Sequence, residues 1–288
     1  LTELLDVLII QRLQRGSQPW PLRAPLRTRD MKRSRAPECI EPCQQRLEIE
    51  EAGAQVHRPS KVGEEAGGLV RIVFIFVVID DGIHARRGDI DHVLATIDTF
   101  AREQSMLVNV GDEKGQLLES ALIRANPSRI LELGTYCGYS ALLMARTVPD
   151  AHVFTVELSA DNAEIARRIW THAGVADRIT CVVGTIGDGG ATLDALAGHG
   201  FGPGNLDFVF IDHDKAAYLK DLESILARGW LRRGAVVVAD NVKVPGAPAY
   251  RAYMRDQEGK LWHTQEHATH VEYQKTLPDL VLESDYLG

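Results

Sequence analysis

The chain has 288 residues, 45% of them hydrophobic, enough to bury one sizeable α/β core and still carry an additional segment. A formal net charge of −8 and a pI near 5.7 argue against a nucleic-acid binder, because such proteins present a basic face to the phosphates. The charge is uneven: residues 1–87 hold 14 Lys and Arg against 12 Asp and Glu, so the remainder, with 18 against 28, carries −10.

At the N-terminus, the apolar run from Leu4 to Ile10 leads into arginines rather than a small-residue cleavage site, so no secretory leader is expected. From Gln11 to Gly68 the chain is rich in Arg, Pro, Gln, Glu and Gly and lacks a sustained helical or strand period, which reads as weak order. Residues 12–35 carry eight Lys and Arg and one acid, a solvated segment or a tail for an anionic surface. Cys39 and Cys43 have the spacing of half a zinc site, but no second Cys/His pair follows nearby. Four scattered cysteines, these two with Cys137 and Cys181, suggest no disulfide framework and favour a reduced, cytoplasmic setting. The longest apolar run, Leu69 to Ile79, contains Arg71 and is well short of the ~20 residues of a membrane-spanning helix, so it reads as a strand. The chain begins at Leu1 with its first methionine at Met31. Residues 1–85 are therefore expected to be a poorly ordered extension or the product of an overextended reading frame, with the folded domain over 86–288.

From Gly88 onward the pattern changes. Asp89 to Phe100 spaces apolar residues as a helix does behind an acidic start, and Gly115 to Asn126 gives a second amphipathic helix stopped by Pro127. Strands are then predicted at 129–134, 152–157, 179–183, 207–212 and 235–239, alternating with helices near 139–147, 160–173, 188–197, 215–228 and 247–256. Phe208 to Ile211 and Ala235 to Ala239 are continuously apolar, as strands covered on both faces must be. The fold class is α/β, a doubly wound, mostly parallel sheet. Leu261–Glu266 and His270–Thr276 are predicted to pair as an antiparallel C-terminal edge hairpin, bringing the sheet to seven strands.

Ligands of such sheets bind beyond the carboxyl ends of the strands. There the chain places Glu132-Leu133-Gly134-Thr135-Tyr136-Cys137-Gly138-Tyr139-Ser140. A dinucleotide fingerprint requires glycine where Tyr136 stands, so a diphosphate is disfavoured. S-adenosylmethionine carries no phosphate, and Gly134 and Gly138 suffice for its loop. Glu157, 23 residues after Gly134 at the end of the next strand, can accept bonds from both ribose hydroxyls, unless it is simply a solvated acid beside a tight turn. Asp212 and the pair Asp240-Asn241 close two further strands. Two carboxylates and an amide oxygen suit Mg²⁺, although a strand-end Asp can also be a helix cap and Asp-Asn a turn pair.

From about Gly88 to Tyr286 these motifs, in this order, resemble the catechol O-methyltransferase family. The resemblance is carried by Val108-Asn109-Val110-Gly111-Asp112-Glu113-Lys114-Gly115-Gln116, the glycine loop, Asp212-His213-x-Lys215, Asp240-Asn241-Val242-x-Val244-Pro245-Gly246 and Val271-Glu272-Tyr273. It implies a Rossmann-like methyltransferase sheet with Mg²⁺ held by Asp212, Asp240 and Asn241, Lys215 as general base, and Glu272 receiving the second hydroxyl of the substrate. Val110, Glu132, Gly134, Tyr136, Ser140, Glu157, Ile186, Asp212 and His213 fall where that family contacts S-adenosylmethionine. Lys215 could otherwise be an exposed first-turn lysine, Glu272 an edge-strand acid and His213 a packed polar residue. The chain departs from the animal enzymes where tryptophans often wall the ring: Met106 and Asp214 stand there instead. The reading is a cytoplasmic O-methyltransferase of catechol-like small molecules, without a membrane span or a nucleic-acid partner. Its alternatives are a related enzyme of caffeoyl-thioester or natural-product type, and a non-catalytic S-adenosylmethionine-binding module.

Overall fold

The computed structural model of the chain describes residues 86–104 and 106–288; the extension over 1–85, with the Leu69–Ile79 run and the Cys39/Cys43 pair, lies outside the described residues. Helix α1, Ile90–Glu103, begins where the Asp89 side chain accepts a bond from His92 N at 3.0 Å, an N-cap that satisfies one of the free amides of the first turn. Helix α2 spans Gly111–Ala125, starting one turn earlier than the apolar pattern suggested, and ends on left-handed Asn126 just before Pro127.

Five parallel strands follow: β1 Arg129–Leu133, β2 His152–Glu157, β3 Ile179–Val183, β4 Leu206–Ile211 and β5 Leu231–Ala239. Between and after them come α3 Tyr139–Thr147, α4 Ala160–Ala173, α5 Ala191–Gly198, α6 Tyr218–Ala227 and α7 Pro248–Asp256. Two long antiparallel strands, β6 Trp262–Val271 and β7 Gln274–Tyr286, complete a seven-stranded sheet of order β3-β2-β1-β4-β5-β7-β6.

Successive strand residues point to opposite faces, and the core divides accordingly. Ile130, Phe208, Phe210, Val236 and Val238 pack against α1 to α4, while Leu131, Leu133, Val209, Ile211 and Val237 pack against α5 to α7. Both faces are buried, so the parallel strands are apolar along their length.

The expected edge hairpin needs correction in its bounds. Its turn lies at Glu272-Tyr273, with Tyr273 at φ 57°, rather than between Glu266 and His270, and β7 continues through Leu280–Tyr286 to pair with β5. The inner strand of the pair is β7 and the sheet edge is β6. Pro278 and Asp279 interrupt the apolar pattern of β7 in the sequence; in the structure Pro278 faces His270 across the ladder and Asp279 turns into the site described below.

Reversal of strand order between β1 and β4 opens a crevice beyond their carboxyl ends. Two glycines shape it. Gly134, at φ 99°, lies so close to the Asp212 backbone that a Cβ would fall 2.8 Å from the Asp212 carbonyl carbon. Gly138, at φ 78°, lies under the indole of buried Trp170 on α4, whose Nε1 donates to Gly138 O at 2.9 Å. A Cβ at Gly138 would fall 2.7 Å from Trp170 Cε2, and left-handed backbone alone costs a non-glycine residue roughly 1 kcal/mol. Gly138→Ala is expected to lower stability by about 2–4 kcal/mol in urea unfolding, and Trp170→Phe in that background to return part of the loss; a loss below about 1 kcal/mol would show the loop free to move.

Candidate active site

Register brings the metal-type donors together. Ile211 pairs with Ala239, so Asp212 and Asp240 leave adjacent strands side by side, and Asp240 N donates to Ile211 O at 3.0 Å. Asn241 follows in left-handed backbone at φ 54°, a conformation that asparagine tolerates, and starts the Val242–Gly246 turn. Asp279 Oδ1 ties that turn to β7 by accepting from Val244 N at 2.9 Å.

At the centre is Lys114 of α2, 2% exposed. Its Nζ lies 2.7 Å from Asp240 Oδ1, 2.6 Å from Glu272 Oε1 and 2.6 Å from Asp279 Oδ2, using all three ammonium protons. The Asn241 side-chain amide donates to the same Glu272 Oε1 and Asp279 Oδ2, each at 2.9 Å. Burial would lower the Lys114 pKa, but the charges of Asp240 and Glu272 overcome it and hold the group above the ordinary lysine value. Asp279 is held below the usual carboxylate range: burial works against this, and the Lys114 ammonium prevails. Asp240 is raised well above that range by burial and then by the charge of Asp212, and Asp212 is raised by burial against the opposing charge of Lys215.

Lys215 Nζ donates to Asp212 Oδ1 at 2.7 Å and to Tyr218 OH at 2.6 Å, and it lies 4.9 Å from the centre of the Tyr218 ring. Tyr218 OH in turn donates to Asp240 O at 3.0 Å, which links the two strand ends through one buried phenol. The sequence reading assigned no role to Lys114, Asp279 or Tyr218.

A second cluster of site candidates forms around the glycine loop. Glu157 Oε2 accepts from Tyr136 N at 2.8 Å and Thr135 N at 3.2 Å, while its Oε1 accepts from Ser159 N at 2.9 Å and Asn162 Nδ2 at 3.3 Å. Glu157 thus joins the glycine loop to the start of α4. Glu132, fully buried in β1, accepts from Ser140 Oγ, and its Oε2 is buried with no hydrogen-bond partner among the described residues. Val110 precedes α2 and Ile186 lies in the loop after β3, both buried; Tyr136 stands half-buried at φ 50°. Leu158, beside Glu157, and Val183, at the end of β3, stay exposed.

His213 is packed rather than open: Nε2 lies 2.8 Å from Asp221 Oδ2, the ring stacks on Tyr218, and buried Nδ1 has no partner among the described residues. Asp214 is exposed and accepts from Ala216 N at 3.1 Å. Met106 is exposed as well, with Gln274 Nε2 3.1 Å from its sulfur. Glu272 is held from a second direction by its neighbour Tyr273, whose hydroxyl donates to Asp98 Oδ1 of α1 at 2.9 Å and accepts from Asn109 Nδ2 at 2.9 Å. Among the described residues, no helix is long and apolar enough to cross a membrane.

With this geometry in place, the comparisons are specific. The O-methyltransferase family profile matches residues 90–263. A probable O-methyltransferase of Mycobacterium tuberculosis is 68% identical over 205 residues, 71% of this chain and 88% of that protein. Catechol O-methyltransferase B of Danio rerio is 40% identical over 206 residues, 71% of this chain and 75% of its own length. Among solved structures, the O-methyltransferase TomG of Streptomyces achromogenes, in complex with S-adenosylmethionine, superposes with a TM-score of 0.55 at 27% identity, covering 68% of this chain and 89% of that one.

Burial pushes the Glu132 carboxyl up to about 8, against the Ser140 hydrogen bond that favours its charged form. The folded state therefore holds a proton that the unfolded chain has released between about pH 4.5 and 8, and folding stability falls as pH rises through that window. This single group contributes a slope of at most about 1.4 kcal/mol per pH unit. Glu132→Gln is expected to remove that part of the slope in urea unfolding at pH 5.5 and 8; parallel pH dependences of wild type and variant would count against a protonated Glu132.

Proposed function

The chain belongs to the family of S-adenosylmethionine-dependent O-methyltransferases, and on that premise we propose that it methylates one hydroxyl of a catechol-like acceptor held on Mg²⁺. The observation that carries this reading is the set of oxygens left without hydrogen bonds. Lys114 and Asn241 N engage Asp240 Oδ1, yet Asp240 Oδ2 is buried without a partner among the described residues. The hydrogen bond to Asp212 engages its Oδ1, and the Asn241 amide spends its N–H groups on Glu272 and Asp279. Asp212 Oδ2, Asp240 Oδ2 and Asn241 Oδ1 are thereby left for a hard cation that prefers oxygen donors.

Asp212, Asp240 and Asn241 would hold Mg²⁺, whose positive charge would make an acceptor hydroxyl beside it more acidic. The remaining steps fall to the protein. Gly134 lets the glycine loop lie against Asp212, so a sulfonium methyl seated over that loop is brought beside the acceptor oxygen. An acceptor oxygen lone pair forms the new O–CH₃ bond as the C–S bond breaks, and S-adenosylhomocysteine leaves. Lys215 Nζ, oriented by Asp212 and Tyr218, takes the hydroxyl proton. Glu272 Oε2 accepts from the neighbouring hydroxyl, which selects vicinal diols. Ribose hydroxyls would replace the two longer bonds to Glu157, those from Thr135 N and Asn162 Nδ2.

A second reading, an acceptor with an anionic tail, is favoured by one groove. It has a volume of about 440 Å³ and is lined by Val242, Lys243, Pro245, Gly246, Arg251 and Arg255, directly after Asn241. Glu266 already pairs with both arginines, leaving a net positive wall.

Methyl transfer from labelled S-adenosylmethionine to 3,4-dihydroxybenzoate is expected with Mg²⁺, to vanish with EDTA, and to fall at least about 100-fold in kcat for Lys215→Ala. Transfer unaffected by EDTA would contradict the reading. At the mouth, Asp214→Trp is expected to lower KM for catechol by restoring an aromatic wall, and an unchanged KM would remove Asp214 from the acceptor site.

A further inference from the structure

The oxygens of Asp240, Glu272 and Asp279 lie within 4.8 Å of one another, the spacing of a cation site. That position is filled from within the protein. Lys114 enters from α2, whose buried stripe is otherwise Gly111, Gly115, Leu118, Ala121 and Leu122, and places its ammonium within 2.7 Å of all three acids. Tyr273 lies beside the first turn of α2, its ring 3.5 Å from the point where a Gly111 Cβ would stand.

We propose that Lys114 is a built-in counter-cation and a positioning residue: it occupies a second cation site, confines the divalent ion to the side of Asp212, Asp240 Oδ2 and Asn241, and leaves Glu272 Oε2 free for the acceptor. This rests on the metal-dependent reading above. Two features support it beyond the acidic cluster. Each ammonium proton meets one carboxylate, and each carboxylate belongs to a different segment: the end of β5, the β6–β7 turn and the body of β7. Moreover, the orphaned Asp240 oxygen is the one that Lys114 does not contact. An ammonium and a divalent ion differ in charge and in the geometry they impose. With a metal in place of Lys114, Glu272 and Asp279 would be drawn in as ligands and Glu272 would be lost to the acceptor.

Mn²⁺ binding by calorimetry and by electron paramagnetic resonance tests this in the full chain. Wild type is expected to bind one Mn²⁺. Lys114→Met is expected to bind two that share Asp240 and give a spin-coupled signal, and Asp279→Asn in that background to restore a single uncoupled ion. One Mn²⁺ of unchanged affinity in Lys114→Met would overturn the proposal while leaving the metal-dependent reading intact; no Mn²⁺ in wild type would overturn that reading instead. Should Lys114→Met not fold alone, its recovery of wild-type circular dichroism at millimolar Mn²⁺ would support replacement of the ammonium by a cation, with Lys114→Gln expected to behave likewise. Failure of both variants to recover would overturn it.

Discussion

Four carboxylates converge at one edge of this sheet, and the ammonium of Lys114 is the constraint that lets them stay there. Asp212, Asp240, Glu272 and Asp279 bring four formal negative charges; Lys114 and Lys215 return two. Buried like charges are costly unless neutralised, and two lysines set against four carboxylates leave the cluster net negative. Removing either lysine would unbalance the site as well as delete a hydrogen-bond donor. Burial is the first cause that raises the pKa of both Asp212 and Asp240, and each is raised further by a neighbouring carboxylate.

Backbone packing couples this electrostatic centre to the glycine loop. Because Gly134 has no side chain, the loop after β1 rests on the carbonyl of Asp212, and Glu157 pins the same loop by accepting from the amides of Thr135 and Tyr136. Tyr218 bridges Lys215 and the Asp240 backbone from below. On the other side, Tyr273 joins α1, the segment through Asn109 and the β6–β7 turn, so Glu272 is held between Tyr273 and Lys114. The glycine loop, Lys215 and Glu272 thus share one connected frame, which the proposed transfer between two bound small molecules would require.

Much of this was legible in the sequence where one physical rule dominated. Continuous apolar runs such as Phe208 to Ile211 read as doubly covered strands and put Asp212 and Asp240 at strand ends facing one crevice; that the two strands are neighbours comes from the pairing of β4 with β5. Legibility failed where a rule had an exception. Pro278 and Asp279 hid the inner half of β7, since proline is tolerated only where the ladder needs no donor. Lys114 was missed because the helix was started at Gly115; with α2 begun at Gly111, a lysine on the buried stripe demands carboxylate partners, and that signal was available. Asp279 had no such signal, because its partner lies 165 residues away. His213 was open between cofactor neighbour and packed polar residue, and its placement against Asp221 and Tyr218 could come only from the fold.

A crystal of the chain grown with Mn²⁺ and S-adenosylhomocysteine, with anomalous scattering used to locate the metal, tests the central claim most directly. The account requires one peak bounded by Asp212, Asp240 and Asn241, with Lys114 Nζ still hydrogen-bonded to Glu272 and Asp279. A peak among Asp240, Glu272 and Asp279 with the Lys114 ammonium displaced would contradict it.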